Sequence, residues 1–144
     1  MKKFKFRLER VFQYRLIIKD EKRRGFMKCL ATLREANDKL EMLRKSQLEN
    51  QLESERLLQV EMVVMRGLYA ARLRAEIEAQ ITLVEKLEEE VEAAKQEYIE
   101  ASKETEVLEK LKKRKEEEYI QESDKADGKV LDELAVQRRD VFGD

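Results

Sequence analysis

The chain has 144 residues, of which 44% are charged and 42% hydrophobic, with no Pro, no His and a single Cys. The missing His and the lone Cys exclude His-based acid–base catalysis, Cys/His zinc sites and an intrachain disulfide, so we predict no metal and no cofactor. The absence of Pro disfavours a turn-rich β fold, whereas this much charge is typical of a long helix or coiled coil.

The net charge of −1 conceals an uneven distribution along the chain. Residues 1–45 carry 15 basic and 6 acidic side chains, whereas residues 46–144 carry 16 basic and 26 acidic ones. This asymmetry fits charge pairing within a chain that folds back on itself, although unevenly charged solvated helix faces explain it equally well. Nucleic acid is not an expected partner, because the basic stretch lacks a recognition motif and the acidic remainder repels phosphates.

The first half of the chain shows a heptad repeat of apolar residues. The repeat places Phe26, Leu33 and Leu40 at a positions and Cys29, Ala36 and Leu43 at d positions. The pattern falters at Asn50 and resumes in a shifted frame, as in a coiled-coil stutter.

A turn is predicted over residues 66–69, because Gly67 is the only Gly between positions 25 and 128 and Gly commonly ends helices. The turn separates a first arm over about 4–65 from a second arm over about 70–127. Residues 128–144 form a C-terminal extension. We therefore expect residues 1–144 to form a single coiled-coil domain.

The second half continues the same period. Its two heptad series are Ile77, Val84, Val91, Tyr98 and Thr105, and Leu73, Gln80, Leu87, Ala94, Ala101 and Leu108. The residues between them are mostly Glu, Lys and Gln, as expected of a solvated helix surface. The predicted fold is all-α: a long antiparallel two-helix coiled coil, or α-hairpin, with its turn near Gly67.

Folding the chain back at Gly67 sets a definite register. Phe26 then faces Leu108 and Ala36 faces Tyr98, so that every a position meets a d position. The same register places Lys22 opposite Lys112, and these ammonium groups cannot share a closed apolar core. We therefore expect the helices to separate or slip near the chain ends, leaving a surface open for docking.

No catalytic function is predicted. The carboxylates are abundant and solvated, and a two-helix rod offers no pocket in which their pKa values would shift. No phosphate-binding GxxxxGK[ST] loop is present. We therefore expect neither enzymatic activity nor a small-molecule substrate.

Both ends of the chain carry recognisable motifs. The start reads Phe4-x-Phe6-Arg7-Leu8-Glu9-x-Val11, and the end contains Leu108-Glu109-Lys110-Leu111-Lys112 followed by Leu131-Asp132-Glu133-Leu134-Ala135. In this order and at these ends, the sequence resembles the FliJ family of bacterial flagellar export proteins.

The resemblance implies a non-enzymatic stalk of the flagellar type III export apparatus, and hence a role in flagellum biogenesis and motility. Such a protein binds the hexameric export ATPase, promotes its assembly and activity, links it to the membrane export gate, and escorts the chaperones of filament-type substrates. We expect a cytoplasmic protein, because no apolar run is long enough to span a bilayer. The resemblance further implies a peripheral location at the cytoplasmic face of the inner membrane.

Resemblance and hairpin geometry together indicate two partner surfaces. The expected ATPase-binding residues are Phe4, Phe6, Leu8, Tyr14, Arg15, Leu111, Arg114, Tyr119, Asp132 and Glu133. The expected gate-side residues are Leu58, Met62, Met65 and Tyr69. Two alternatives stay open: the equivalent stalk of a virulence type III secretion system, and a self-associating structural coiled coil.

Overall fold

A computed structural model describes residues 3–56 and 58–142 of the protein, with side chains up to residue 140. It contains two α-helices, α1 from Glu9 to Ser54 and α2 from Val60 to Phe142, and no strand among the described residues. The two helices pack against each other. The predicted all-α fold of two long paired helices is confirmed.

The chain divides into two compact units. Residues 1–19 and 101–144 form the first, which we call the end unit, and residues 20–100 form the second, the turn unit. Each unit contains a stretch of both helices. The helices are antiparallel in each, since residues later in α1 contact residues earlier in α2.

The first helix ends at Ser54 and the second begins at Val60, so the chain reverses between these residues and the turn predicted at Gly67 is wrong. Gly67 is an exposed residue of α2, and no described glycine has a positive φ. At the end of α1, the Ser54 hydroxyl donates a hydrogen bond of 2.7 Å to the carbonyl of Asn50, a local bond that competes with helix continuation. Glu61 lies in the first turn of α2, where a negative charge interacts favourably with the helix dipole and stabilises the start of the helix.

The same helix runs past Gly128 without a break. The segment predicted as a C-terminal extension is therefore helical up to Phe142, while residues 143 and 144 lie outside the described part of the chain.

The core of the turn unit consists of residues from the predicted heptad positions. Ala36, Leu40, Ile77, Val84 and Leu87 are buried together, and Leu33, Leu43 and Ile81 pack against them. All but Ile81 belong to the predicted a and d series. The heptad pattern therefore identifies the contacting faces of both helices correctly.

The register between these faces differs from the predicted one. Phe26 stacks on Tyr98 and not on Leu108, and the Ala36 carbonyl meets Gln80 and not Tyr98. The observed partners of Phe26 and Ala36 lie 10 and 18 residues earlier along α2 than the predicted ones, so the pairing is displaced by about two heptads. The displacement follows from the position of the turn, because an earlier turn pairs each residue of α1 with an earlier residue of α2.

The predicted clash of lysines is also absent. In the turn unit, the Lys22 Nζ atom lies 3.1 Å from the Glu97 carboxylate. In the end unit, the Lys112 Nζ atom lies 3.0 Å from the Glu9 carboxylate. In the observed register each of these two lysines therefore forms an ion pair instead of facing the other.

Candidate partner-binding site

An apolar groove in the end unit lies between the N-terminal segment and α2. Residues 3–6 have no regular secondary structure and lie beside α2, which brings Phe4, Phe6 and Leu8 close to Leu111 and Tyr119. The groove has a volume of about 660 Å³. All five apolar side chains are half-buried, so each keeps surface that a partner can contact.

The contact between Phe4 and Tyr119 joins the two sides of the groove. Their ring centroids are 5.6 Å apart and their planes are inclined by 45°. This tilted arrangement is favourable for aromatic pairs. It attaches the non-helical N-terminal segment to α2.

Charged residues of both signs surround the apolar groove. They are Lys3, Lys5, Arg7 and Lys115 on the basic side and Glu118 and Glu122 on the acidic side. An apolar centre with a polar rim is the usual organisation of a protein-binding surface.

A cluster next to the groove holds the two helices of the end unit together. Phe12 is buried, and the Lys112 ammonium lies 5.3 Å from the centre of its ring, a cation–π distance. The same ammonium pairs with Glu9. A hydrogen bond from Gln13, followed by the one from Lys112, lowers the pKa of the Glu9 carboxyl.

Sequence reasoning missed this cluster, although the heptad pattern contained a signal for it. Phe12 lies two heptads before Phe26, and Lys112 lies one heptad after Thr105. Extending both series toward the chain ends indicates that these two positions face the partner helix. The contacts of Lys112 with Phe12 and Glu9 were not predicted, because the incorrect register placed Lys112 opposite another lysine.

Five of the ten residues expected at the ATPase-binding surface meet in the groove, and five do not. Tyr14 is largely exposed, Arg114 is exposed with its guanidinium 3.6 Å from Glu118, and Arg15 bonds to Glu104. Asp132 and Glu133 lie beside Val136 and Gln137 on a separate, shallow part of α2. Of the ten expected residues, Phe4, Phe6, Leu8, Leu111 and Tyr119 line the same groove.

The residues expected on the gate side belong to the turn unit and are exposed. Met62, Met65 and Tyr69 line a shallow groove of about 370 Å³ together with Arg66. Leu58 does not line it, but its side chain is 99% exposed at the turn. Large apolar side chains with this much exposure are typical of a surface that meets another protein.

The chain matches the family model described as "Flagellar FliJ protein" over residues 4–139. The chain belongs to the FliJ family. Comparison with curated proteins and with solved structures gave no match.

Membership in the FliJ family makes this chain a flagellar export protein and confirms the resemblance read from the terminal motifs. The match begins at Phe4 and extends beyond Glu133, so it includes every residue that lines the apolar groove except Lys3. The match to a flagellar family supports the flagellar interpretation over the virulence-system alternative.

The described residues of this FliJ-family chain include neither a membrane-spanning stretch nor a metal-binding group. Neither helix, over the described residues, has an apolar stretch long enough to cross a membrane. Among those residues there is also no group of three Asp, Glu, Cys or His side chains placed to hold a metal ion.

Proposed function

We propose that this FliJ-family chain is a non-enzymatic stalk protein that binds the hexameric flagellar export ATPase through the apolar groove of its end unit. The observation that carries the proposal is the convergence of Phe4, Phe6, Leu8, Leu111 and Tyr119 in one accessible groove. Binding there promotes assembly and activity of the ATPase.

The chemistry of the groove supports a protein partner. Its aromatic and leucine side chains are half-buried before any partner binds, so contact with a second apolar surface removes their remaining area from water. Aromatic residues are common anchors of protein interfaces. The charged rim adds directional contacts to a partner of mixed charge.

The turn unit provides the second contact of the proposed stalk. Leu58, Met62, Met65 and Tyr69 bind the membrane export-gate protein, and the same chain escorts chaperones of filament-type substrates. Methionine side chains adapt to differently shaped partners, which suits a surface that serves more than one. Through these contacts the protein acts peripherally at the cytoplasmic face of the inner membrane.

A pull-down with the cognate export ATPase tests the proposal. Wild-type chain retains the ATPase, whereas the double variant Phe6→Ala with Leu8→Ala loses most of it, because two of the five apolar contacts are removed. The matched control is Val11→Ala, an exposed apolar residue in the first turns of α1. Equal capture by the double variant and the control, with unchanged helicity by circular dichroism, contradicts the proposed site.

A further inference from the structure

Three polar side chains are buried between the two helices at positions that a coiled coil normally fills with apolar residues. Asn50, Gln80 and Thr105 are 4%, 5% and 1% exposed, respectively. Burying a polar group lowers stability unless a hydrogen bond compensates. Each of the three makes such a bond to a backbone carbonyl of the opposite helix.

Gln80 lies in the turn unit and bonds to the backbone of α1. Its Nε2 atom donates to the carbonyl oxygen of Ala36 at 2.9 Å. Ala36 is itself buried and has only a methyl side chain. The small side chain leaves its carbonyl within reach of a long amide from the opposite helix.

Asn50 makes reciprocal contacts near the turn. Its Nδ2 atom donates to the Arg66 carbonyl at 3.3 Å, and the Arg66 guanidinium donates back to the Asn50 Oδ1 atom at 3.2 Å. The same guanidinium lies 2.6 Å from the Glu53 carboxylate. Asn50 is thus satisfied by both the backbone and the side chain of one residue of α2.

In the end unit, Thr105 makes the corresponding hydrogen bond to the opposite helix. Its hydroxyl lies 2.7 Å from the Ala101 carbonyl in its own helix and 3.2 Å from the Arg15 carbonyl in α1. The single hydroxyl proton is therefore shared between the two carbonyls. The neighbouring residue, Glu104, bonds to the Arg15 side chain.

Apolar burial alone distinguishes poorly between registers of this hairpin. The register expected from a turn at Gly67 differs from the observed one by about two heptads, yet it buries the same a and d positions of the two helices. Hydrogen bonds to particular carbonyl groups distinguish registers better than apolar burial does. A slip of one heptad moves a residue by about 10 Å along the helix, which is farther than an Asn, Gln or Thr side chain can reach.

We propose that Asn50, Gln80 and Thr105 fix the register of the helices, Asn50 and Gln80 in the turn unit and Thr105 in the end unit. Thr105 is thereby a positioning residue for the groove, because the register of the end unit determines that Tyr119 lies beside Phe4. A single polar residue in a coiled-coil core can specify register at a cost in stability. This inference does not depend on which partner the groove binds.

Cysteine cross-linking in a Cys29→Ser background measures the register directly. In the turn unit, Lys22→Cys with Glu97→Cys reports the observed register, and Leu43→Cys with Val91→Cys reports the register shifted by two heptads. In the end unit, Glu9→Cys with Lys112→Cys reports the observed register, and Glu9→Cys with Tyr119→Cys reports a shift of one heptad. A short bis-maleimide links only pairs that are close together.

The expected result is a change of register without loss of stability. With Asn50 and Gln80 replaced by Leu, or Thr105 replaced by Val, the ratio of shifted to observed cross-link in the corresponding unit rises about tenfold, since a buried hydrogen bond accounts for about that much discrimination. The thermal midpoint stays equal or rises, because an apolar residue replaces a buried polar one. Val84→Leu serves as the control, because it alters packing without affecting a hydrogen bond.

The proposal is wrong if only the observed pairs cross-link in these variants while they remain helical. Should the double Leu variant not fold, Gln80→Leu alone and Thr105→Val alone carry the test. A raised shifted ratio in either unit supports the role of its residue, and unshifted cross-linking in both units overturns the proposal.

Discussion

Phe26 of α1 stacks on Tyr98 of α2, with ring centroids 6.2 Å apart and planes inclined by only 8°. Offset stacking of this kind is among the favourable arrangements of aromatic pairs. The contact marks the register of the turn unit, since a turn at Gly67 places Leu108 at this position instead. The aromatic pair therefore distinguishes the observed register from the predicted one.

Replacing Gly67 with Ala stabilises the protein. Gly67 lies within α2, and nothing lies within 4 Å of an added Cβ atom. Ala is better than Gly in a helix interior by about 1 kcal/mol, so the free energy of unfolding rises by about that amount. Urea unfolding followed by circular dichroism measures it. A destabilised Gly67→Ala variant, with Gly25→Ala as the helical control, indicates that residue 67 is needed in a turn after all.

Replacing Phe12 with Ala destabilises the end unit. The buried ring packs in the core and lies beneath the Lys112 ammonium, so its removal leaves a cavity and costs about 3 kcal/mol. Lys112→Met keeps the aliphatic part of the side chain and costs less. Denaturant unfolding of both variants checks this order, and a larger loss for Lys112→Met contradicts the role assigned to Phe12.

Acid weakens the fold through two identified carboxyl groups. Hydrogen bonds from Gln13 and Lys112 lower the pKa of Glu9, and the Arg23 hydrogen bond, aided by the charge of Arg24, lowers that of Asp20. Both carboxyl groups have a lower pKa in the folded chain than in the unfolded chain, so their ionised forms stabilise the fold. This stabilisation is complete above the ordinary pKa of a carboxyl group, near pH 4, and is lost as the pH falls through the lowered pKa values of the folded chain.

Thermal midpoints between pH 7 and pH 2 test this dependence. The wild-type midpoint falls on acidification, and the fall is smaller in the Glu9→Gln and Asp20→Asn variants because the titrating group is absent. Glu92→Gln is a control on the exposed surface of α2. Identical pH profiles for all four proteins contradict the assignment.

Under the proposed function, the exposed groove near the turn contributes to gate binding and not to ATPase binding. Replacing Met62, Met65 and Tyr69 with Ala removes the apolar lining of that groove and weakens capture of the export-gate protein. Capture of the ATPase by the same variant is unchanged. Met42→Ala is the matched control, since Met42 is about as exposed as Met65 but lies outside the groove. Loss of both partners together argues for one shared surface.

Heptad periodicity was sufficient to predict which faces of the helices meet, because burial of an apolar stripe depends only on the spacing of residues. Leu40, Ile77 and Val84 are buried as expected. The position of the turn was not predictable, because residues 55–59 contain neither Gly nor Pro. The nearest Gly, at position 67, is tolerated on an exposed helix face.

The residues of the apolar groove could be predicted only in part, because their convergence also depends on the register of the helices. Phe4, Phe6 and Leu8 belong to a recognisable motif near the start of the chain, and their convergence with Tyr119 depends on a register that periodicity leaves open. Asp132 lies close to Tyr119 in sequence, but it lies on a separate surface because the helix continues without a break.

ATP turnover by the purified export ATPase, measured against increasing concentrations of the chain, tests the central proposal most directly. Wild-type chain stimulates turnover, and the Leu111→Ala, Tyr119→Ala double variant requires a much higher concentration for the same stimulation. Ile120→Ala, which replaces an exposed neighbour outside the groove, behaves like wild type. Undiminished stimulation by a fully helical double variant would contradict the assignment of the groove as the ATPase-binding surface.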